Sequence, residues 1–153
     1  MNDSQTFEPL TMESLDEHRQ VHFYLDQIQA TLGSLDATSE DAEPLRRLSS
    51  QVQSLAERLA EHNHAEERVG GWFQAILEAL PDKRVEIDRL TRQHHKFVEI
   101  LEMARMHADG CSPDRASELR DDLLGYLEVI RRHEHAEEVL MRLALDKEAS
   151  AQD

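Results

Sequence analysis

Apolar residues in this chain recur in alternating steps of three and four along four long segments, and nowhere alternate with polar residues in steps of two. Steps of three and four keep one face of an α-helix in register, whereas steps of two would line one face of a strand. The chain is therefore expected to be all-α. Breakers set the bounds. Pro9 and Thr11 precede a first helix of about Met12 to Leu35, and the polar segment Asp36 to Glu43 makes the first connection. Pro44 suits the first turn of a second helix, which Gly70-Gly71 would end or kink before Leu80. Pro81 opens a third that fades by Asp109, and Ser112-Pro113-Asp114 starts a fourth that runs to about Asp146. Four helices of similar length with short connections favour an antiparallel up-down four-helix bundle. Residues 1–153 read as a single domain, with the bundle over about 12–147 and loose polar ends, Met1 to Glu8 and Glu148 to Asp153.

The apolar stripes are interrupted by particular polar residues. In the second helix Val52, Leu55 and Leu59 step on through His62 and Glu66 to Val69, Phe73, Ile76 and Leu80. In the fourth, Leu119, Leu123, Tyr126 and Ile130 lead to His133, Glu137 and Leu140. The third gives Ile87, Leu90, His94, Phe97, Leu101 and Ala104, which turns His94 inward and leaves His95 about 100° away. The first gives Leu15, His18, Val21 or His22, Leu25, Ile28 and Leu32. Four imidazoles and two carboxylates thus fall on core positions at one level. Burying them without partners would cost on the order of several kcal/mol, which a dinuclear metal centre would offset.

Two of these interruptions are copies of one another. His62-Asn63-His64-Ala65-Glu66-Glu67 returns as His133-Glu134-His135-Ala136-Glu137-Glu138. Each copy sets a glutamate one helical turn after a histidine, on the same face. Imidazole nitrogen with carboxylate oxygen suits iron, manganese or zinc. His64, His135, Glu67 and Glu138 read as a flank of helix packing or solvent, and Tyr126, Trp72, Met103, Met106 and Met141 as packing residues.

The order His, His-x-x-x-Glu, His, His-x-x-x-Glu across four helices resembles the hemerythrin-like, or HHE cation-binding, domain family over about residues 12 to 145. The resemblance implies a non-haem centre of two iron ions, oxo- or hydroxo-bridged. His18, His62, His94 and His133 would be terminal ligands, and Glu66 and Glu137 bridging carboxylates. It also implies binding of dioxygen or a related small molecule, for storage, delivery or sensing. Nitric-oxide or iron handling, as in proteins that repair iron centres, and enzymatic chemistry on peroxide are the alternatives. Leu59, Phe97 and Ile130 would form the apolar pocket wall. Oxygen-carrying relatives place a further histidine one turn after the third-helix ligand, where this chain has Val98. The chain offers His22 instead, one turn after His18, either as a fifth histidine ligand or as a residue lining the pocket.

Other classes fit less well. Ferritin-like carboxylate proteins repeat Glu-x-x-His on two helices. Glu61-His62-Asn63-His64 satisfies that motif once, but the repeat places Arg132 opposite Glu61, so the second copy lacks it. A formal net charge of -15 leaves no basic stripe for a phosphate backbone, so nucleic acid is not an expected partner. No apolar run nears the roughly 20 residues of a membrane span, and the polar start has no signal pattern. With one cysteine, Cys111, the expectation is a reducing cytoplasmic setting. A sensor would need a separate protein partner, which the sequence does not identify.

Overall fold

The computed structural model describes residues 4–35 and 42–151, and every regular element among them is helical. The helices are α1 (Ser4–Gly33), α2 (Glu43–Glu67), α3 (Trp72–Ala79), α4 (Arg84–Gly110) and α5 (Ala116–Ala151). The four long ones form a closed ring in which α1 packs on α2, α2 on α4, α4 on α5, and α5 back on α1. This is the expected four-helix bundle. Most of the expected connection over 36–43 lies outside the described residues.

Helix ends depart from expectation in three places. First, α1 begins at Ser4 and carries Pro9 inside it. A proline in the second turn removes one backbone bond near a helix end, and Leu10 and Leu15 beyond it pack against the lower core. Secondly, the fourth long helix continues to Ala151, with Ala144 buried and Leu145 packed against the same core. Thirdly, the expected second helix is two. It stops at Glu67, turns through Gly70 in the left-handed region at φ 79°, and restarts at Trp72 as α3. Val69, counted above in the core stripe, lies in that turn and is 94% exposed.

The turn brings α3 under the end of the bundle. There Trp72, Phe73, Ile76 and Leu80 join Ile87, Leu90, Leu140, Met141 and Ala144 in a lower apolar cluster. A larger upper cluster, from Val21, Leu25 and Ile28 through Leu48, Val52, Leu55 and Leu59 to Phe97, Leu123 and Ile130, fills the rest. Leu127 takes the core place expected of Tyr126, which is half-buried at the cluster edge. Met103 and Met106 are exposed rather than packed, whereas Trp72 and Met141 are buried. No helix among the described residues is long and apolar enough to cross a membrane.

Two glycines predict opposite responses to the same substitution. A Cβ on Gly71 would lie 2.5 Å from the Ala65 carbonyl oxygen and 2.8 Å from those of Glu66 and Arg68, all backbone atoms with no room to retreat. Gly71→Ala should destabilise the fold by about 2 kcal/mol or more. Gly125, inside α5 with open space around its Cα, gives the reverse: Gly125→Ala should stabilise by roughly 0.5–1 kcal/mol. Denaturant unfolding of both variants measures the two signs.

Candidate metal centre

Between the two apolar clusters lies a polar layer. His18, His62, Glu66, His94, His133 and Glu137 are each no more than 3% exposed. One comes from α1, two from α2, one from α4 and two from α5, as the stripe positions require. The imidazoles stand as two pairs. The rings of His18 and His62 are 4.9 Å apart, and those of His94 and His133 are 4.7 Å apart.

Glu137 lies between the pairs and faces each with a different oxygen. Its Oε2 is 2.9 Å from His18 Nε2 and 3.8 Å from His62 Nε2. Its Oε1 is 3.2 Å from His94 Nε2 and also contacts His133 Nε2. Glu66 reaches both pairs with one oxygen, Oε1, at 3.1 Å from His62 Nε2 and 3.4 Å from His94 Nε2. Its other oxygen accepts a hydrogen bond from Ser14 Oγ at 3.3 Å. Two groups of ligand atoms result, each within 4.8 Å: His18, His62, Glu66 and Glu137, and His94, His133 and Glu137. Glu137 belongs to both.

The outer nitrogens of the four rings explain why the inner ones are available. His62 Nδ1 lies 2.5 Å from Glu17 Oε2, His18 Nδ1 3.3 Å from Glu138 Oε1, and His94 Nδ1 3.2 Å from Glu67 Oε2. His133 Nδ1 lies 2.7 Å from Gln93 Oε1. A carboxylate and an amide oxygen accept, so each Nδ1–H donates outward and leaves Nε2 as the nitrogen that faces the layer and would bind a cation once its proton is displaced. His62 Nε2, His133 Nε2 and Glu66 Oε1 are buried and make no hydrogen bond of acceptable geometry, although all lie within ion-pair distance of their neighbours. Buried polar atoms converging without hydrogen-bond partners fit the ligand set of a cation, and the nitrogen and oxygen donors fit a borderline or hard one.

Glu67 and Glu138, read from sequence as a solvated flank, are therefore orienting groups. Glu17, Gln93 and Ser14 were not singled out at all. The signal that marks them is position: Glu17 and Gln93 immediately precede His18 and His94, and Glu67 and Glu138 immediately follow Glu66 and Glu137. His64, His95 and His135 are exposed, which agrees with their place off the inward stripe.

His22 is not brought into either group. Its Nδ1 accepts a hydrogen bond from the Arg131 guanidinium at 3.2 Å, and its Nε2 faces Glu134 Oε2 at 2.8 Å. Burial and the neighbouring Arg131 charge lower its pKa. The histidine offered as a fifth ligand or a pocket-lining residue is here a partly exposed neighbour of a carboxylate. Glu134 itself is 1% exposed, and burial raises its carboxyl to about 8.

Leu59, Phe97 and Ile130 are buried in the upper cluster, with the Phe97 ring edge-on to His133 at 4.9 Å. Phe73 covers the layer from below, stacked on His94 at 5.2 Å. The centre is walled by apolar groups on both sides.

Over residues 14–144 the chain matches the family model described as hemerythrin HHE cation binding domain. The chain belongs to that family. No curated protein and no solved structure matches it. The hemerythrin assignment agrees with the all-α bundle and with histidine and glutamate clusters able to bind a metal cation.

Protonation of the metal-free layer follows from its charges. Burial works to lower the pKa of His18, His62 and His94. Bonds and charges from Glu137, joined by the Glu134 charge at His18, by Glu17 and Glu66 at His62 and by Glu66 at His94, outweigh it and raise them to about 9, 12 and 9 respectively. Burial and the nearby Glu137 charge raise Glu66. Burial alone would raise Glu137 too, but bonds from Glu66, His133 and His18 hold it well below the ordinary carboxylate range. Raised histidines contribute stability that is complete below their unfolded value of 6.5 and lost as pH climbs through the folded values. Glu134, raised to about 8, acts in the same direction as it loses its proton. The thermal midpoint of metal-free protein should therefore fall as pH is raised from 6.5 to 9. Cations that displace the same protons should release acid on binding at pH 7. Calorimetry across that range and a pH-stat titration measure the two effects.

Proposed function

We propose that this chain is a non-haem di-iron protein that binds dioxygen reversibly, for storage, delivery or sensing. The observation that carries the reading is Glu137, whose two oxygens face separate histidine pairs within one buried layer. A carboxylate placed in this way could hold two cations. Glu66 Oε1, set between His62 and His94, would be the second group to hold both.

Iron bound here supplies the electrons for reversible dioxygen binding. The chain's own groups do the rest. Nδ1–H bonds to Glu17, Glu138, Glu67 and Gln93 hold each imidazole at a fixed angle, so four Nε2 atoms are pre-aimed. Leu59, Phe97, Ile130 and Phe73 exclude water, and a dry pocket slows both loss of a small apolar ligand and irreversible oxidation of the metal. Two bridging carboxylates offset much of the charge of two divalent cations, which favours retaining both.

Iron is preferred to zinc because reversible dioxygen binding requires a redox-active metal, and zinc has no such chemistry. Protein loaded anaerobically with ferrous ion should hold two irons per chain. It should gain a visible charge-transfer band in air and lose it under vacuum. Two irons that oxidise irreversibly would replace this reading with peroxide or nitric-oxide chemistry. Glu137→Ala should reduce the bound iron to at most one per chain, and retention of two would contradict the bridge.

A further inference from the structure

The two copies of the six-residue repeat differ at one position, Asn63 in the first and Glu134 in the second. Both are buried, Asn63 at 5% exposure and Glu134 at 1%, and no polar side-chain atom of either has a hydrogen-bond partner. The second copy therefore places an extra carboxylate beside the centre where the first places a neutral amide. The difference extends to the facing helices. His22 stands opposite Glu134, while Val98, one turn after His94, is the corresponding residue in the other half and is 51% exposed. One half of the layer thus carries an additional carboxylate and imidazole that the other lacks.

Glu134 belongs to a definite side of the layer. Its Oε2 lies 2.8 Å from the ring of His22, which stands one turn after His18 on α1, so Glu134 sits on the side of the pair that shares Glu137 Oε2. The contact with His22 Nε2 lacks hydrogen-bond geometry. His22 is fixed from the other side by Arg131, which also bonds Asp26 at 2.8 Å and Gln29 at 3.2 Å. A carboxyl group with nearly all its surface removed from water and no hydrogen bond is costly to ionise, and a cation beside it would relieve that cost.

On the di-iron reading, we infer that Glu134 is a further metal ligand: it parts from His22 and coordinates the ion held by His18 and His62 when that ion binds. The two ions are then unlike. The one at His18 and His62 gains a third carboxylate, while the one at His94 and His133 keeps the open position where a small molecule can bind. His22 lies against Glu134 while metal is absent and is not itself a ligand.

Cobalt(II) titration of the metal-free full chain, with chelator competition and visible spectra, tests this. Wild type should bind two ions. In Glu134→Gln one of them should bind roughly 10–100-fold more weakly while the other is unchanged. The cobalt absorption of the weakened ion should also intensify as its coordination number falls. His22→Ala should not weaken either ion, because it removes a competitor for Glu134. Metal-free Glu134→Gln should unfold no more easily than wild type, since it loses a buried carboxylate without hydrogen bonds. A role confined to packing would instead lower that stability and leave both affinities alone. Equal, wild-type-like binding of both ions in Glu134→Gln overturns the inference and leaves the di-iron reading intact. Fewer than two ions in wild type overturns both.

Discussion

Everything in this bundle is arranged around the cost of burying four imidazoles and two carboxylates at one level. Such a layer has to be satisfied from outside the hydrocarbon core, and the chain does so in two ways. Outward, every ring nitrogen Nδ1 is bonded to a glutamate or glutamine that reaches toward solvent. Inward, the Nε2 atoms and carboxylate oxygens meet one another at ion-pair distances. Charge compensation among these groups keeps Glu137 ionised even though it is fully buried. The apolar clusters above and below then raise the value of each electrostatic contact by excluding water.

The helix ends serve the same layer. By breaking at Gly70-Gly71, the chain sends Trp72 and Phe73 underneath the site instead of continuing α2 into solvent, and Phe73 stacks on His94. The same turn places three backbone carbonyls, including that of Glu66, against Gly71, so the position of a candidate ligand and the path of the chain are fixed together. Internal duplication supplies the remaining order. Residues adjacent to the ligands on one helix support the ligand on the next, with Glu17 serving His62 as Gln93 serves His133, and Glu67 serving His94 as Glu138 serves His18.

The bundle and the six inward residues were legible in the sequence because both rest on helical periodicity, which a long amphipathic stripe expresses strongly. His94 was separable from His95 on that basis alone, and the structure buries one and exposes the other. Three kinds of feature were not legible. The break after Glu67 was visible as Gly70-Gly71, but whether a glycine pair kinks or ends a helix depends on what covers the far side. The orienting groups lie off the stripe, and their long side chains reach back to it, so a rule that equates off-stripe with solvent misplaces Glu67 and Glu138. His22 has the right spacing for a ligand, yet Arg131 and Glu134, both on α5, claim its two nitrogens, and no local pattern in α1 reports them.

Iron-edge X-ray absorption of the iron-loaded chain tests the central claim most directly, that one buried layer holds two cations joined through Glu137. The account predicts imidazole scattering together with a metal–metal shell at roughly 3.5–4 Å, the spacing of carboxylate-bridged pairs. Imidazole scattering without any metal–metal shell, at full iron loading, would contradict it.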